Sequence, residues 1–152
     1  MKNIKIIVVG KVKEEYFRNI INEYIKDINR YVSVELIEVS DESIPKNPSQ
    51  IVVDGIKEKE GDKILSHIQN IDYVIPLCIE GKLTDNSILK EKINSAIRDI
   101  QGSVCFIIGG SLGLSDRVIK RGNYRLSFSK MTFPHQLMRV MLLEEIARAV
   151  AP

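Results

Sequence analysis

Short apolar runs alternate along this chain with segments whose apolar residues recur at helical spacing. The clearest runs cover residues 4–9, 73–79 and 104–108, and each is apolar at nearly every position. Antiparallel strands usually alternate apolar and polar residues, whereas parallel strands are buried on both faces and show continuous apolar runs. The pattern therefore predicts an α/β domain in which helices cover both faces of a parallel sheet.

The expected order of elements is strand, helix, strand, helix, strand, helix, strand, loop, strand and helix. Besides the three runs above, the predicted elements are strands over 32–39 and 124–129 and helices over 16–28, 56–68, 87–100 and from Pro134 onward. Pro76 is awkward inside a strand because it lacks the N–H that a ladder needs. The charged stretch 57–61 is interpreted as a solvated helix face. Cys78 and Cys105 lie in apolar runs and are interpreted as buried free thiols.

Length and composition limit the possible classes of protein. The 152 residues are predicted to form one domain, 1–152. No apolar run approaches the roughly 18 residues that a membrane helix needs, so we expect a cytoplasmic protein without a membrane partner. The net charge of +2 neither requires nor excludes a nucleic acid. Neither His67 nor His135 has further ligands at metal-binding spacing, so no metal is expected.

Ligands of open α/β sheets bind at the carboxyl ends of the strands. The third strand ends in residues 77–82, the fourth in a loop with Gly109, Gly110 and Gly113, and the fifth in residues 127–135. Glycines let a ligand approach the backbone closely. The loop matches neither the dinucleotide fingerprint nor the P-loop. The pattern alone therefore leaves a tight turn and a cofactor loop equally open.

Pro134 is expected near the start of the final helix, where its missing N–H has no cost. His135 and Arg139 then lie one turn apart on the same face and could hold a phosphate or a carboxylate. A purely structural role is the competing interpretation of His135. The helix is apolar on more than one side, which predicts deep burial or packing against a second copy of the chain.

Four segments resemble the ribosomal RNA large-subunit methyltransferase H family. They are residues 8–11, 57–61, 108–114 and 126–140, with the sequences VVGK, KEKEG, IGGSLGL and LSFSKMTFPHQLMRV. The resemblance covers nearly the whole chain, and the last segment is long and specific. It implies a SPOUT α/β knot, with a mainly parallel sheet of five or six strands, helices on both faces and a C-terminal trefoil knot. General topology rules would not predict the knot.

The resemblance also implies the chemistry. It implies S-adenosylmethionine as methyl donor, a homodimer, and N3-methylation of a pseudouridine in 23S rRNA of the assembled ribosome. Methyl transfer needs alignment of donor and acceptor and loss of a proton. His135 and Arg139 are therefore predicted to orient the substrate or stabilise charge, with helix capping or phosphate binding as the alternative. The residues that the resemblance assigns to the cofactor site are Leu77, Gly109, Gly110, Gly113, Ser129, Lys130, Met131, Thr132, Phe133 and Pro134.

Family members continue past the last helix into a tail of Arg-Gly-Glu-x-x-Tyr-His-Lys character. The last residues of this sequence, 145–152, lack that pattern, and Ala147 replaces an aromatic residue that is usual in the family. Because the family's tail helps to form the substrate site across the dimer, the alternative hypothesis is a catalytically impaired knotted dimer that binds S-adenosylmethionine and RNA. A third hypothesis, an unknotted protein that binds another nucleotide, is disfavoured by segment 126–140.

Overall fold

The computed structural model describes residues 3–152, and residues 1–2 of the predicted domain lie outside the described residues. Strands and helices alternate throughout this range. They are β1 (Asn3–Val9), α1 (Glu15–Ile28), β2 (Ser33–Val39), α2 (Gln50–Leu65), β3 (Tyr73–Leu83), α3 (Asn86–Asp99), β4 (Val104–Ile108), α4 (Asp116–Arg121), β5 (Leu126–Ser127) and α5 (His135–Val150).

The strands form one sheet in the order β2-β1-β4-β3-β5. All four neighbouring pairs are parallel. β1 pairs with β2 along its whole length, from Asn3 opposite Ser33 to Val9 opposite Val39. The most apolar run, β4, occupies the centre of the sheet between β1 and β3. The predicted parallel α/β sheet is confirmed, with five strands within the described residues.

The central strands bury both of their faces. In β1, Ile4, Ile6 and Val8 point into a core that α1, α3 and α5 cover. The alternate residues Ile7 and Val9 point into a second core beneath α2 and α4. Complete burial of a large aliphatic side chain contributes about 1.5–3 kcal/mol. Apolar residues are therefore favoured on both faces of the strand, which explains the nearly continuous apolar runs in the sequence.

The positions of the helices follow from a single handedness of the strand connections. The connections that run toward the β2 edge use α1 and α3 on one face. Those that run toward the β5 edge use α2 and α4 on the other face. Crossover connections between parallel strands are almost always right-handed. Connections that run in opposite directions across the sheet must therefore place their helices on opposite faces. The last helix, α5, returns to the first face and contacts α1 and α3.

Polar side chains define where three of the helices begin. Ser49, Asp85 and Ser115 each accept a hydrogen bond from the backbone N–H three residues on, at 3.3, 2.8 and 3.3 Å. Each bond satisfies one N–H that has no partner inside its helix, a contribution of about 1 kcal/mol. These caps start α2, α3 and α4. None of the helices in residues 3–152 is long and apolar enough to cross a membrane.

The lengths of several elements differ from the prediction. The expected loop after β4 contains the short helix α4, while β5 is reduced to Leu126–Ser127. β3 continues to Leu83, because it pairs with β5 again after an irregularity between Leu77 and Lys82. The prediction for the thiols is correct for Cys105, which is buried, whereas Cys78 is only half-buried.

The interpretation of residues 57–61 as a solvated face is wrong for Glu60 and Gly61. Glu60 is only 5% exposed, and its carboxylate accepts a hydrogen bond from the N–H of Glu42 at 3.0 Å. Gly61 packs so closely on α4 that an added Cβ would lie 2.8 Å from Oγ of Ser115. This turn of α2 therefore faces the protein interior although its composition is charged.

Pro76 is accommodated within β3 by residues that follow helix α4. Two residues earlier, the N–H of Val74 donates to the side chain of Asn123 at 2.8 Å. Pro76 has no N–H to donate, and its ring lies against Gly122. A Cβ added to Gly122 would be 2.6 Å from Cδ of Pro76. The proline is thus tolerated because a glycine leaves room for its ring.

Gly122→Ala should lower the free energy of unfolding by about 1–3 kcal/mol, because the new methyl group overlaps the Pro76 ring. Urea unfolding followed by circular dichroism measures this change. The matched control is Gly55→Ala in α2, where an added Cβ meets nothing within 4 Å. That control should gain about 0.5–1 kcal/mol from the better helix propensity of alanine. Equal effects of the two substitutions would contradict the Pro76–Gly122 contact.

Candidate functional site

A cavity of about 310 Å³ opens at the carboxyl ends of β3, β4 and β5. The three strand ends singled out in the sequence therefore meet at one place. The residues that line the cavity are Lys57, Leu77, Cys78, Ile79, Glu80, Ile108, Gly109, Gly110, Leu112, Gly113, Leu114, Ile119, Leu126, Ser127, Phe128, Ser129, Met131, Thr132, Phe133, His135 and Met138. Apolar walls with a few polar groups are typical of a small-molecule site.

The glycine segment after β4 forms a tight turn that is also a wall of the cavity. The N–H of Gly113 donates to the carbonyl of Gly110 at 3.0 Å. Gly113 has a φ of +87°, a conformation in which other residues are strained. The segment is therefore a tight turn whose backbone faces the cavity. Its use as a cofactor loop stays a prediction.

Side-chain hydrogen bonds shape the segment after β5. The hydroxyl of Ser127 donates to the carbonyl of Ser129 at 2.9 Å. The hydroxyl oxygen of Ser129 accepts from the N–H of Met131 at 2.9 Å. Met131 itself is 69% exposed at the mouth of the cavity. The alternation of serines with apolar residues thus folds the segment over the cavity.

His135 begins α5 directly after Pro134 and lines the cavity. Burial lowers the pKa of its imidazole below the usual range, and the nearby Arg139 guanidinium lowers the pKa further, against a smaller opposite effect of Asp41. A histidine with an ordinary pKa near 6.5 is already mostly neutral at pH 7. The lowered pKa therefore favours the neutral imidazole of His135 at neutral pH.

Arg139 is completely buried and does not line the cavity. Its Nη1 donates to the Glu38 carboxylate at 3.0 Å. Its Nη2 donates to the carbonyls of Val9 and Gly10 at 3.0 and 2.9 Å. The expected pair in which His135 and Arg139 hold one anion does not form, because the guanidinium instead joins α5 to the ends of β1 and β2.

Most residues assigned to the cofactor site lie together around the cavity. Leu77, the three glycines and four residues of the segment after β5 belong to its wall, whereas Lys130 and Pro134 do not. The sequence analysis missed the contributions of Lys57 and Met138. Lys57 lies in the segment 57–61, whose resemblance to the family was the signal that could have placed it. No group of three or more His, Cys, Asp or Glu residues within 3–152 is arranged to hold a metal ion.

A parallel α/β sheet with a ligand-sized cavity at its carboxyl edge defines a class of small-molecule-binding enzymes and binding proteins. Residues 1–151 match the family model described as a predicted SPOUT methyltransferase. The chain belongs to the SPOUT methyltransferase family.

Two similar proteins from different bacteria carry the same name. The chain is 52% identical over 148 residues to ribosomal RNA large subunit methyltransferase H of Clostridioides difficile (strain 630), covering 97% of this chain and 92% of that protein. It is 48% identical over 147 residues to the protein of the same name from Bacillus pumilus (strain SAFR-032), with the same coverage of 97% and 92%.

Two solved structures share the fold. A probable methyltransferase from Bordetella pertussis Tohama I has a TM-score of 0.57 at 13% identity, covering 99% of this chain and 95% of that one. A probable methylase family protein from Haemophilus influenzae Rd KW20 has a TM-score of 0.55 at 14% identity, covering 98% of this chain and 66% of that one. At these identities the likeness concerns the fold alone.

Arg139→Met should lower the free energy of unfolding by about 3 kcal/mol, because two buried carbonyls and the Glu38 carboxylate lose their donor. The matched control on the same helix is Arg148→Met. Arg148 is exposed and pairs with Glu144 at 2.8 Å, and such a pair contributes less than about 1 kcal/mol. Thermal and urea unfolding measure both changes. If Arg139→Met lowered the free energy of unfolding no more than the control does, the stabilising role of the buried Arg139 contacts would be contradicted.

Proposed function

We propose that this protein is a methyltransferase that uses S-adenosylmethionine to methylate N3 of a pseudouridine in 23S rRNA of the assembled ribosome. The observation that carries the proposal is the cavity formed by the glycine turn and the segment after β5, in a chain of the SPOUT methyltransferase family. The names of its relatives supply the class of substrate. A location in the cytoplasm is part of this proposal, and the proposed ribosomal substrate supports it.

The cavity fits the chemical character of S-adenosylmethionine. Leu77, Leu126 and Phe128 provide apolar walls for an adenine ring, and Ser129 and the glycine turn provide polar groups around it. When bound, S-adenosylmethionine supplies a methyl group on a positively charged sulfonium. The uncharged His135 does not repel such a cation. Lys130 and Pro134, which were also assigned to this site, are neighbours of the lining residues but do not line the cavity.

The predicted catalytic pair takes two different roles in this proposal. His135 lies at the wall of the cavity and orients the substrate next to the bound cofactor. Arg139 has no exposed surface, so it acts as a positioning residue through the elements that it joins. Its bonds to Val9, Gly10 and Glu38 hold the N-terminal half of α5 against the ends of β1 and β2. Charge stabilisation by Arg139 is consequently indirect.

Methyl transfer from labelled S-adenosylmethionine tests this function. Ribosomes that lack the modification should become labelled at a 23S rRNA pseudouridine, whereas free rRNA serves as the control substrate. Gly110→Val should abolish both labelling and cofactor binding in calorimetry, because its Cβ would lie 3.2 Å from Cγ1 of Val9 and force the turn to move. The same substitution at the open position Gly55 should leave both unchanged.

The outcomes separate the hypotheses. Label in the ribosomal pseudouridine supports the proposed enzyme. Cofactor binding without label supports the impaired dimer that binds S-adenosylmethionine and RNA. Absence of cofactor binding to the unmodified protein would overturn the proposal.

The trefoil knot and the homodimer are further parts of the proposal, and both are supported by membership of the family. Apolar side chains also remain exposed near the cavity mouth and on the first turn of α5. Ile79 is 49% exposed, Met131 is 69% exposed and Leu137 is 36% exposed. A second copy that packs on this face would remove these side chains from water.

Sedimentation equilibrium at micromolar concentration should give the mass of a dimer. Leu137→Lys should shift the equilibrium toward the monomer, because a charge would enter the proposed interface. The control is Ile51→Lys in α2 on the opposite side of the sheet, where the side chain is already 84% exposed. A monomer mass for the unmodified chain would refute the dimer.

A further inference from the structure

A second cavity, of about 570 Å³, lies beside the first at the carboxyl ends of β1, β2 and β4. Gly110 and His135 line both cavities, so the two spaces share a wall. The wall at Gly110 carries no side chain. A molecule in the second cavity would thus be separated from one in the first by little more than the backbone of the glycine turn.

Glu60 lies in the wall of this second cavity and is one of the few buried charged residues. One carboxylate oxygen, Oε2, accepts the hydrogen bond from the N–H of Glu42. The hydrogen bonds formed within residues 3–152 include none to the other oxygen, Oε1. It would lie 3.5 Å from a Cβ added to Gly110. A free acceptor therefore points to the place where the two cavities meet.

Carboxylates outnumber basic side chains in the wall of the second cavity. Its acidic residues are Glu38, Asp41, Glu42 and Glu60, of which Glu38 is paired with Arg139 and Glu42 with Lys63. Lys11 and Lys13 also line the cavity and are exposed. Phosphates are attracted to the exposed lysines, whereas the carboxylates repel a phosphate that enters the cavity. The arrangement suits a nucleotide whose backbone stays outside and whose uncharged base enters.

We propose, building on the methyl transfer proposed above, that the second cavity holds the base that accepts the methyl group and that Glu60 receives its reacting N–H. Uracil-type bases present an imide N–H, which a carboxylate oxygen can accept. As the bond between carbon and the base nitrogen forms, the bond between carbon and sulfur breaks and leaves a neutral thioether. The proton of the base nitrogen passes to Oε1 of Glu60, so atoms and charge balance.

The environment of Glu60 is consistent with this role. Burial raises the pKa of its carboxyl group above the ordinary value, and Asp41 and Glu42 raise the pKa further, while the hydrogen bond from the Glu42 N–H and the charge of Lys63 lower it. A higher pKa makes a carboxylate a stronger proton acceptor. Glu60 would then be a catalytic residue in a segment, 57–61, whose charged composition predicted only a solvated helix face.

Steady-state methylation of ribosomes, together with calorimetry of S-adenosylmethionine, tests the assignment. Glu60→Gln should lower kcat by at least about a hundredfold, because the amide can neither take the proton nor match the base N–H. Its KM for ribosomes and its cofactor affinity should stay within about twofold, since the rim lysines and the first cavity are intact. Glu60→Asp should recover part of kcat. Glu58→Gln, an exposed neighbour on α2, is the control and should behave as the unmodified enzyme.

A second variant tests whether the substrate enters the second cavity without changing the buried carboxylate of Glu60. Ser111 lines the second cavity but not the first, and it is exposed. Ser111→Phe should therefore block methylation while cofactor affinity is retained. Full turnover by both Glu60→Gln and Ser111→Phe would overturn the assignment and leave the proposed function standing. Absence of methylation by the unmodified enzyme would overturn both.

Discussion

Parallel strand pairing is the constraint on which the rest of this molecule depends. It places the carboxyl ends of all five strands at one edge of the sheet. Every connection must then cross a face of the sheet before the next strand begins, which is why helices bury both faces. The same constraint brings Leu77, Gly110 and Ser129 to one cavity although they lie far apart in the sequence. The position of the site is thus a consequence of strand direction.

The buried guanidinium of Arg139 connects this edge to the last helix. Its donors reach Val9 and Gly10 at the end of β1 and Glu38 near the end of β2. A buried arginine is tolerated where its charge is paired and its N–H groups are bonded, and most of these conditions are met here. One turn before Arg139, His135 lines both cavities. The stability of the fold and the placement of the shared wall therefore depend on the same side chain.

The sequence was most informative where a single pattern decides the structure. The apolar runs of β1 and β4 predicted buried parallel strands, because every position of such strands faces a core. Helix α4 was not predicted, because its six residues bury only Val118 and are too few to show a helical repeat of apolar residues. The burial of Glu60 was not predicted, because its charged neighbours in the sequence indicate a solvated face. Its hydrogen-bond partner Glu42 lies in another segment. The burial of Arg139 depends on residues more than a hundred positions away, and no local pattern contains that information.

In the proposed methyl transfer, the two cavities would supply different chemical environments. The first combines apolar walls and exposed backbone with His135, whose lowered pKa favours the neutral imidazole, and with the oppositely charged Lys57 and Glu80. The second has lysines at its rim and a free carboxylate oxygen inside, which suits a base that must lose a proton. Direct transfer requires reacting atoms about 3–3.5 Å apart. Any side chain at the junction would occupy part of that distance. A glycine at position 110, with Glu60 on one side and the first cavity on the other, is the residue that such a transfer needs there.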